Sequence, residues 1–272
     1  MNAKCQRSLI TVLAAAAAVS VATIAHGGSV LILGGSTTPD ADETAVQTLL
    51  DDNGQTASVG PSISTFTGTD FSDISSVILL DGDGSTTGFQ MPTAGQTALL
   101  NFIQAGGGLV TGEWSVWTND DEGNLTTLAP AFPVVPTTVF DYSSPLTYTL
   151  ATANTVLDNG VPASFSFAAD NDGGTNTQFA PKAGATAYVS SSGNTFMGTS
   201  DGVIGWKYGS GTVVSFSTLI GTSELANASY AQLFGNAVTL SEGVPEPSTW
   251  ACMGVGLLLM LAQARRRFKA LR

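Results

Sequence analysis

The sequence predicts an α/β domain built on a doubly wound, mostly parallel sheet. Three observations point there. Short apolar runs, Val30-Leu31-Ile32-Leu33, Val77-Ile78-Leu79-Leu80 and Leu109-Val110, each lead into a glycine-containing turn. Two stretches with helical periodicity and helix-start signals separate them. Strand, helix, strand, helix, strand at this spacing implies crossover connections in a parallel sheet.

Residues 29–33 read as a buried strand because apolar side chains point to both faces. Asp40 followed three residues later by Glu43 is a capping-box pattern. The helix it opens has Val46, Leu49 and Leu50 as its apolar face and stops at Asn53-Gly54. A weaker strand runs through residues 56–59, and Phe71 and Ile74 are spaced to pack one helical turn. Residues 77–80 form the second buried strand. Thr93 and Gln96 make another capping box, opening a helix over 93–104 with Leu99, Leu100, Phe102 and Ile103 apolar. Gly106-Gly107-Gly108 stops it, and the third strand runs from Leu109 into Gly112-Glu113-Trp114.

From Asn119 the texture changes. Pro130, Pro133, Pro136, Pro145 and Pro162 interrupt the chain, so residues 119–181 read as a β-rich or loop-rich insert, with short strands at 137–140 and 146–150. The sheet resumes at 185–190. Residues 203–208 and 212–217 flank Gly209-Ser210-Gly211, a hairpin signal. Tyr230, Leu233, Phe234 and Val238 give residues 228–240 the period of a closing helix.

Both ends lie outside this domain. Lys4 and Arg7, then an uncharged Ala-rich run over 9–25 and small residues, have the pattern of a secretory signal peptide over residues 1–27. That pattern implies Sec-type export; the plainer alternative is a retained membrane helix. All 21 acidic residues lie between Asp40 and Glu246, where the only cations are Lys182 and Lys207, a formal charge of about −19. Such a body repels nucleic acid and attracts cations, besides staying soluble. Cys5 and Cys252 fall in the two end segments, so residues 28–243 hold no cysteine, and the single histidine is His26. A disulfide framework and His/Cys zinc sites are therefore excluded from the body.

Several segments together resemble the class I glutamine-amidotransferase-like superfamily in its broad sense: Val30-Leu31-Ile32-Leu33-Gly34-Gly35, residues 77–82, residues 99–112 (LLNFIQAGGGLVTG), residues 208–217 (YGSGTVVSFS) and residues 233–240 (LFGNAVTL). The resemblance implies a nucleophile on the turn after a central strand, here around Gly112-Glu113-Trp114. No cysteine stands there, and no histidine follows to take its proton, so the usual catalysis of the superfamily has no groups to run on. Ligands of such sheets bind beyond the carboxyl ends of the strands. Asp81, Asp83, Glu113 and Trp114 are the candidate ligand-binding residues there, with Trp114 and Trp117 able to stack on a sugar ring. Carboxylate-based glycoside hydrolysis is one use of these acids. Ca²⁺ is another, at Asp81 and Asp83 or at Asp170 and Asp172, although neither run completes an EF-hand loop.

The chain's last stretch reads Val244-Pro245-Glu246-Pro247-Ser248-Thr249-Trp250, then an apolar run, then Arg265-Arg266-Arg267. It closely resembles the PEP-CTERM sorting signal of Gram-negative bacteria. The resemblance implies recognition by an exosortase, processing near Pro245-Glu246-Pro247, and delivery to the cell surface or beyond, in company with exopolysaccharide and biofilm production. Arg265, Arg266 and Arg267 suit a cytoplasmic stop to the membrane segment. As a helix, residues 250–264 would span only about 22 Å, short of a bilayer core of about 30 Å, which fits a transient anchor. The expected organisation is thus a signal peptide (1–27), an α/β body (28–243) and a sorting signal (244–272). Two functions remain open: a non-catalytic surface or matrix protein binding polysaccharide or Ca²⁺, and an exported carboxylate-dependent hydrolase of glycans.

Overall fold

The computed structural model describes residues 28–35, 38–80, 90–112, 115, 125–141, 145–169, 176–194 and 198–242. Both end segments, and with them the signal-peptide and membrane-anchor expectations, lie outside these residues. Among the described residues no helix is long and apolar enough to cross a membrane.

The elements in chain order are β1 (Ser29–Leu33), α1 (Ala41–Asp52), β2 (Ala57–Val59), β3 (Ile74–Leu79), α2 (Thr93–Ala105), β4 (Gly108–Thr111), β5 (Val134–Asp141), β6 (Leu146–Leu150), β7 (Ser164–Phe167), β8 (Asn176–Pro181), β9 (Thr186–Asn194), β10 (Gly198–Tyr208), β11 (Gly211–Phe216), α3 (Thr222–Leu225) and α4 (Ala228–Ser241). Nine strands form one sheet in the order β2-β1-β3-β4-β11-β10-β9-β6-β7, and β5 pairs with β8 in a second, two-stranded sheet. From β2 to β11 every ladder is parallel. From β11 to β7 every ladder is antiparallel. The sheet is therefore mixed, and parallel over only half its width.

That change follows from chain length. Parallel neighbours need a crossover of a dozen residues or more, whereas antiparallel ones can be joined by a tight turn. Only Gly209 and Ser210 separate β10 from β11, and Gly209 supplies the turn with φ of +60°. The expected insert is also not separate from the sheet. Its strands β6 and β7 extend the main sheet beyond β9, and only β5 and β8 form a ribbon apart.

Helices cover both faces, as a doubly wound sheet requires. On one face Val30, Ile32, Ile78, Val110, Val214 and Phe216 pack against Val46 and Leu50 of α1 and Leu233, Phe234 and Val238 of α4. On the other, Leu31, Leu33, Val77, Leu79, Leu109 and Val213 meet Leu99, Phe102 and Ile103 of α2, together with Phe66 and Phe132. Successive residues of β1 and β3 thus serve opposite cores, which is why those runs are apolar throughout.

The Asp40 capping box forms as the sequence predicts. Asp40 Oδ1 accepts from Asp42 N and Glu43 N, and Glu43 Oε2 accepts from Asp40 N at 3.1 Å. The Thr93 box does not form. Pro92 is the N-cap and Thr93 already lies inside α2, so its hydroxyl cannot cap. Gln96 instead points its amide at a neighbouring segment: Nε2 donates to Met91 O, and Oε1 accepts from Thr127 N and Leu128 N. Phe71 and Ile74 close a single hydrogen-bonded turn, Ile74 N donating to Phe71 O at 3.1 Å, and a strand rather than a helix follows. Ile74 opens β3, three residues before the predicted start, and Phe71 stacks on Phe102 with ring centroids 4.5 Å apart.

Polar side chains occupy outward-facing backbone groups at both sheet edges, which blunts pairing with other chains. At β2, Ala57 N donates to Asp51 Oδ1 and Ala57 O accepts from Gln47 Nε2. At β7, Ser166 O accepts from Asn227 Nδ2 at 3.1 Å, while Asn227 Oδ1 caps α4 through Ser229 N and Tyr230 N. Asn227→Ala removes both functions, and chemical denaturation should show a loss of about 1–2 kcal/mol. Asn227→Asp keeps the cap acceptor and should lose less.

Candidate functional site

The carboxyl ends of the parallel strands lie side by side in the order β1, β3, β4, β11. Leu79 of β3 is in register with Thr111 of β4. Leu80 and Gly112, the residues just before Asp81 and Glu113, therefore stand at neighbouring strand ends. Asp81, Asp83, Glu113, Trp114 and Trp117 themselves lie outside the described residues, as do Asp170 and Asp172. So do Val244, Pro245, Glu246, Pro247, Arg265, Arg266 and Arg267. Among the described residues, no group of three or more His, Cys, Asp or Glu could hold a metal ion.

What is described at this edge is polar, buried and internally bonded. Ser115, four residues past the end of β4, is fully buried, and its hydroxyl donates to Leu79 O at 3.1 Å. That bond and burial hold it as a strut between β3 and β4 rather than as an exposed nucleophile. Thr111 and Ser215 join their hydroxyls across β4 and β11 at 2.7 Å. Beyond β11, Thr218 Oγ1 lies 2.8 Å from Tyr230 OH and 3.3 Å from Tyr148 OH. Tyr148 OH also lies 3.1 Å from Ser217 Oγ, and Tyr230 OH donates to Leu219 O at 2.9 Å. This network ties β6, the end of β11 and α4 together. Burial, then the nearby Tyr148 and Glu224, push the Tyr230 hydroxyl well above its ordinary range, against a downward pull from the Thr218 hydrogen bond.

Two buried glutamates flank the network, and sequence reading singled out neither as part of a site. Glu43 was visible only as a capping residue. It packs its carboxylate against Gly34 at the end of β1, where a Cβ would collide with Glu43 Oε1. Glu224 is fully buried at the start of α3 and accepts from Gly221 N at 3.2 Å. Both carboxylates fold back over the start of their own helices, which offsets the cost of burying charge. Asp42 links the two helices, its Oδ1 accepting from Thr222 N at 2.7 Å. The sequence signal for Glu224 was Gly221-Thr222-Ser223-Glu224, an acid at the third position of a helix. These groups close the carboxyl edge between β1 and β11.

Residues 243–267 match the PEP-CTERM protein-sorting motif, so the chain carries that motif where its sequence showed it. No curated protein matches the chain. Several solved structures are similar in fold. A ThuA-like protein from Bacteroides uniformis has 14% identity and a TM-score of 0.59, over 80% of this chain and 93% of that one. A glutamine amidotransferase from Thermotoga maritima has 11% identity and a TM-score of 0.53, over 80% and 99%. A β-galactosidase from Rahnella sp. R3 has 16% identity and a TM-score of 0.56, over 80% of this chain and 32% of that one. At such identities the likeness is one of fold, and the fold is amidotransferase-like.

Because the folded value of Tyr230 exceeds its unfolded value, its contribution to stability is complete below about pH 10 and is lost as pH rises toward the folded value. Tyr230→Phe should therefore cost about 1–2 kcal/mol at pH 8 through its lost hydrogen bonds. It should also lose less further stability than the parent between pH 9 and pH 11, as read by denaturant melts at each pH.

Proposed function

We propose that this is an exported, non-catalytic protein of the cell surface or extracellular matrix, delivered by an exosortase, whose acidic body binds polysaccharide or Ca²⁺ without converting it. The observation that carries the reading is the sorting motif at residues 243–267. A short Pro-Glu-Pro segment, an apolar run and an arginine cluster suit a substrate that is held briefly at the membrane and then cut.

The non-catalytic half rests on chemistry. Residues 28–243 contain neither cysteine nor histidine, which removes the thiol and imidazole that amidotransferase-like catalysis uses. At the carboxyl edge, Ser115, Thr218, Tyr230, Glu43 and Glu224 all spend polar atoms on hydrogen bonds within the fold. A surface with about 19 excess negative charges suits divalent cations and neutral glycans better than anionic partners.

Replacing Pro245, Glu246 and Pro247 together by alanine should leave the unprocessed chain in the membrane fraction of a host that has an exosortase, whereas the parent chain appears as a shorter, released form. Equal fractionation of the two would sink the delivery reading. For the body, residues 28–243 should be retained on glycan resin or gain melting temperature with Ca²⁺, with no glycoside turnover. Turnover that Asp81→Asn or Glu113→Gln abolishes would instead make it a hydrolase.

A further inference from the structure

The start and the end of the folded body meet at one place, the amino edge of the sheet. Ser75, at the second position of β3, has its hydroxyl 2.9 Å from Glu242 Oε1 and 3.4 Å from the carbonyl of Ser29, the first residue of β1. Gln55 Nε2, in the turn after α1, donates to Glu242 Oε2 at 3.3 Å. One residue earlier, Ser241 Oγ lies 2.7 Å from Ser76 Oγ and donates to Val238 O at 2.7 Å. A side chain at Gly108 would strike the Ser241 carbonyl. The last turn of α4 is thus seated against the starts of β3 and β4, and Glu242 is held from both sides.

The Pro-Glu-Pro segment begins at Pro245, three residues beyond this clamp. Three residues reach at most about 11 Å even when fully extended. A body of about 215 residues is on the order of 40 Å across. On so short a tether the body cannot swing clear of whatever engages Pro245, Glu246 and Pro247.

We propose that the amino edge of the sheet, around Asp52, Asp73, Ser75 and Glu242, is the surface of the body that abuts the membrane-embedded processing enzyme during sorting. The carboxyl edge, with Glu43 and Glu224, then points away from the bilayer. The inference rests on the exosortase reading and adds a contact to it: the enzyme meets the folded body as well as the motif.

The test follows the conversion of full-length chain to the shorter form after pulse labelling, in a host with the exosortase. A spacer of about 15 Gly and Ser residues between Glu242 and Gly243 adds an average reach of roughly 20 Å. The spacer should relieve the crowding and speed conversion about threefold or more. Asp52 and Asp73 are exposed at the amino edge, and Asp52→Arg with Asp73→Arg should change the rate at native spacing but not with the spacer. Thr222→Lys, exposed near the opposite edge, should leave it unchanged at either spacing. Thermal melting of each full chain in detergent confirms that it is folded. Equal rates for native and spacer chains overturn the inference, as does an Asp52/Asp73 effect that persists with the spacer. If the motif-replaced chain is converted as fast as the parent, the exosortase reading fails first and this inference falls with it.

Discussion

All six residues of β11 are buried, and the strand is paired along both sides. Its ladder with β4 is parallel, from Thr212 opposite Gly108 to Ser215 opposite Thr111. Its ladder with β10 is antiparallel, from Val203 opposite Phe216 to Tyr208 opposite Gly211. Every strand on one side belongs to the wound half and every strand on the other to the meander. Because side chains alternate across a sheet, a slip of one residue in β11 would send Val213 and Val214 into the wrong cores at once. It would also part the buried hydroxyls of Thr111 and Ser215, leaving two polar atoms to be satisfied in an apolar layer. The register of this strand holds the two halves in one molecule.

The same constraint shapes what the carboxyl edge can do. Beyond β11 the chain turns through Ser217 and Thr218 into a hydroxyl network closed by Tyr148 and Tyr230. Thr111, Ser115, Ser215, Ser217, Thr218, Tyr148 and Tyr230 bond there to one another or to the backbone. Glu43 and Glu224, the acids buried there, sit at the third position of their helices with carboxylates turned back onto backbone amides. They brace the carboxyl edge of the sheet through those backbone hydrogen bonds.

How much could be read in advance varied with how local the physics was. The Asp40 box, the Gly106 stop and the Gly209 turn involve residues a few positions apart, and each formed as read. Thr93 and Gln96 carried the same spacing signal. Yet Gln96 found better partners in Met91, Thr127 and Leu128, the last two some thirty residues away, and no local rule could weigh those. β6 was legible at 146–150, but β7 was not, and neither was the place of the pair in the main sheet, for a related reason. The exposed face of this pair is a series of serines and threonines, such as Thr147 with Ser166 and Thr149 with Ser164, which does not reveal its pairing partner locally. Of the candidate site, the sequence revealed the motif at residues 243–267 in full, because a sorting motif is recognised as a linear pattern. It did not single out Glu43 and Glu224 as buried groups beside the carboxyl edge of the sheet, because that depends on where two helices dock.

The hydroxyl of Ser75 reaches toward the first strand and the last helix alike. A domain whose two ends exit together can be spliced into a surface loop of another protein while leaving that host's path almost undisturbed, and its own ends can be joined and reopened elsewhere. The fold thus behaves as a portable module. Its counterpart in the Rahnella β-galactosidase corresponds to about a third of a longer chain. In the present chain the sorting motif begins at residue 243, directly after Glu242, so it starts beside the place where the first strand begins.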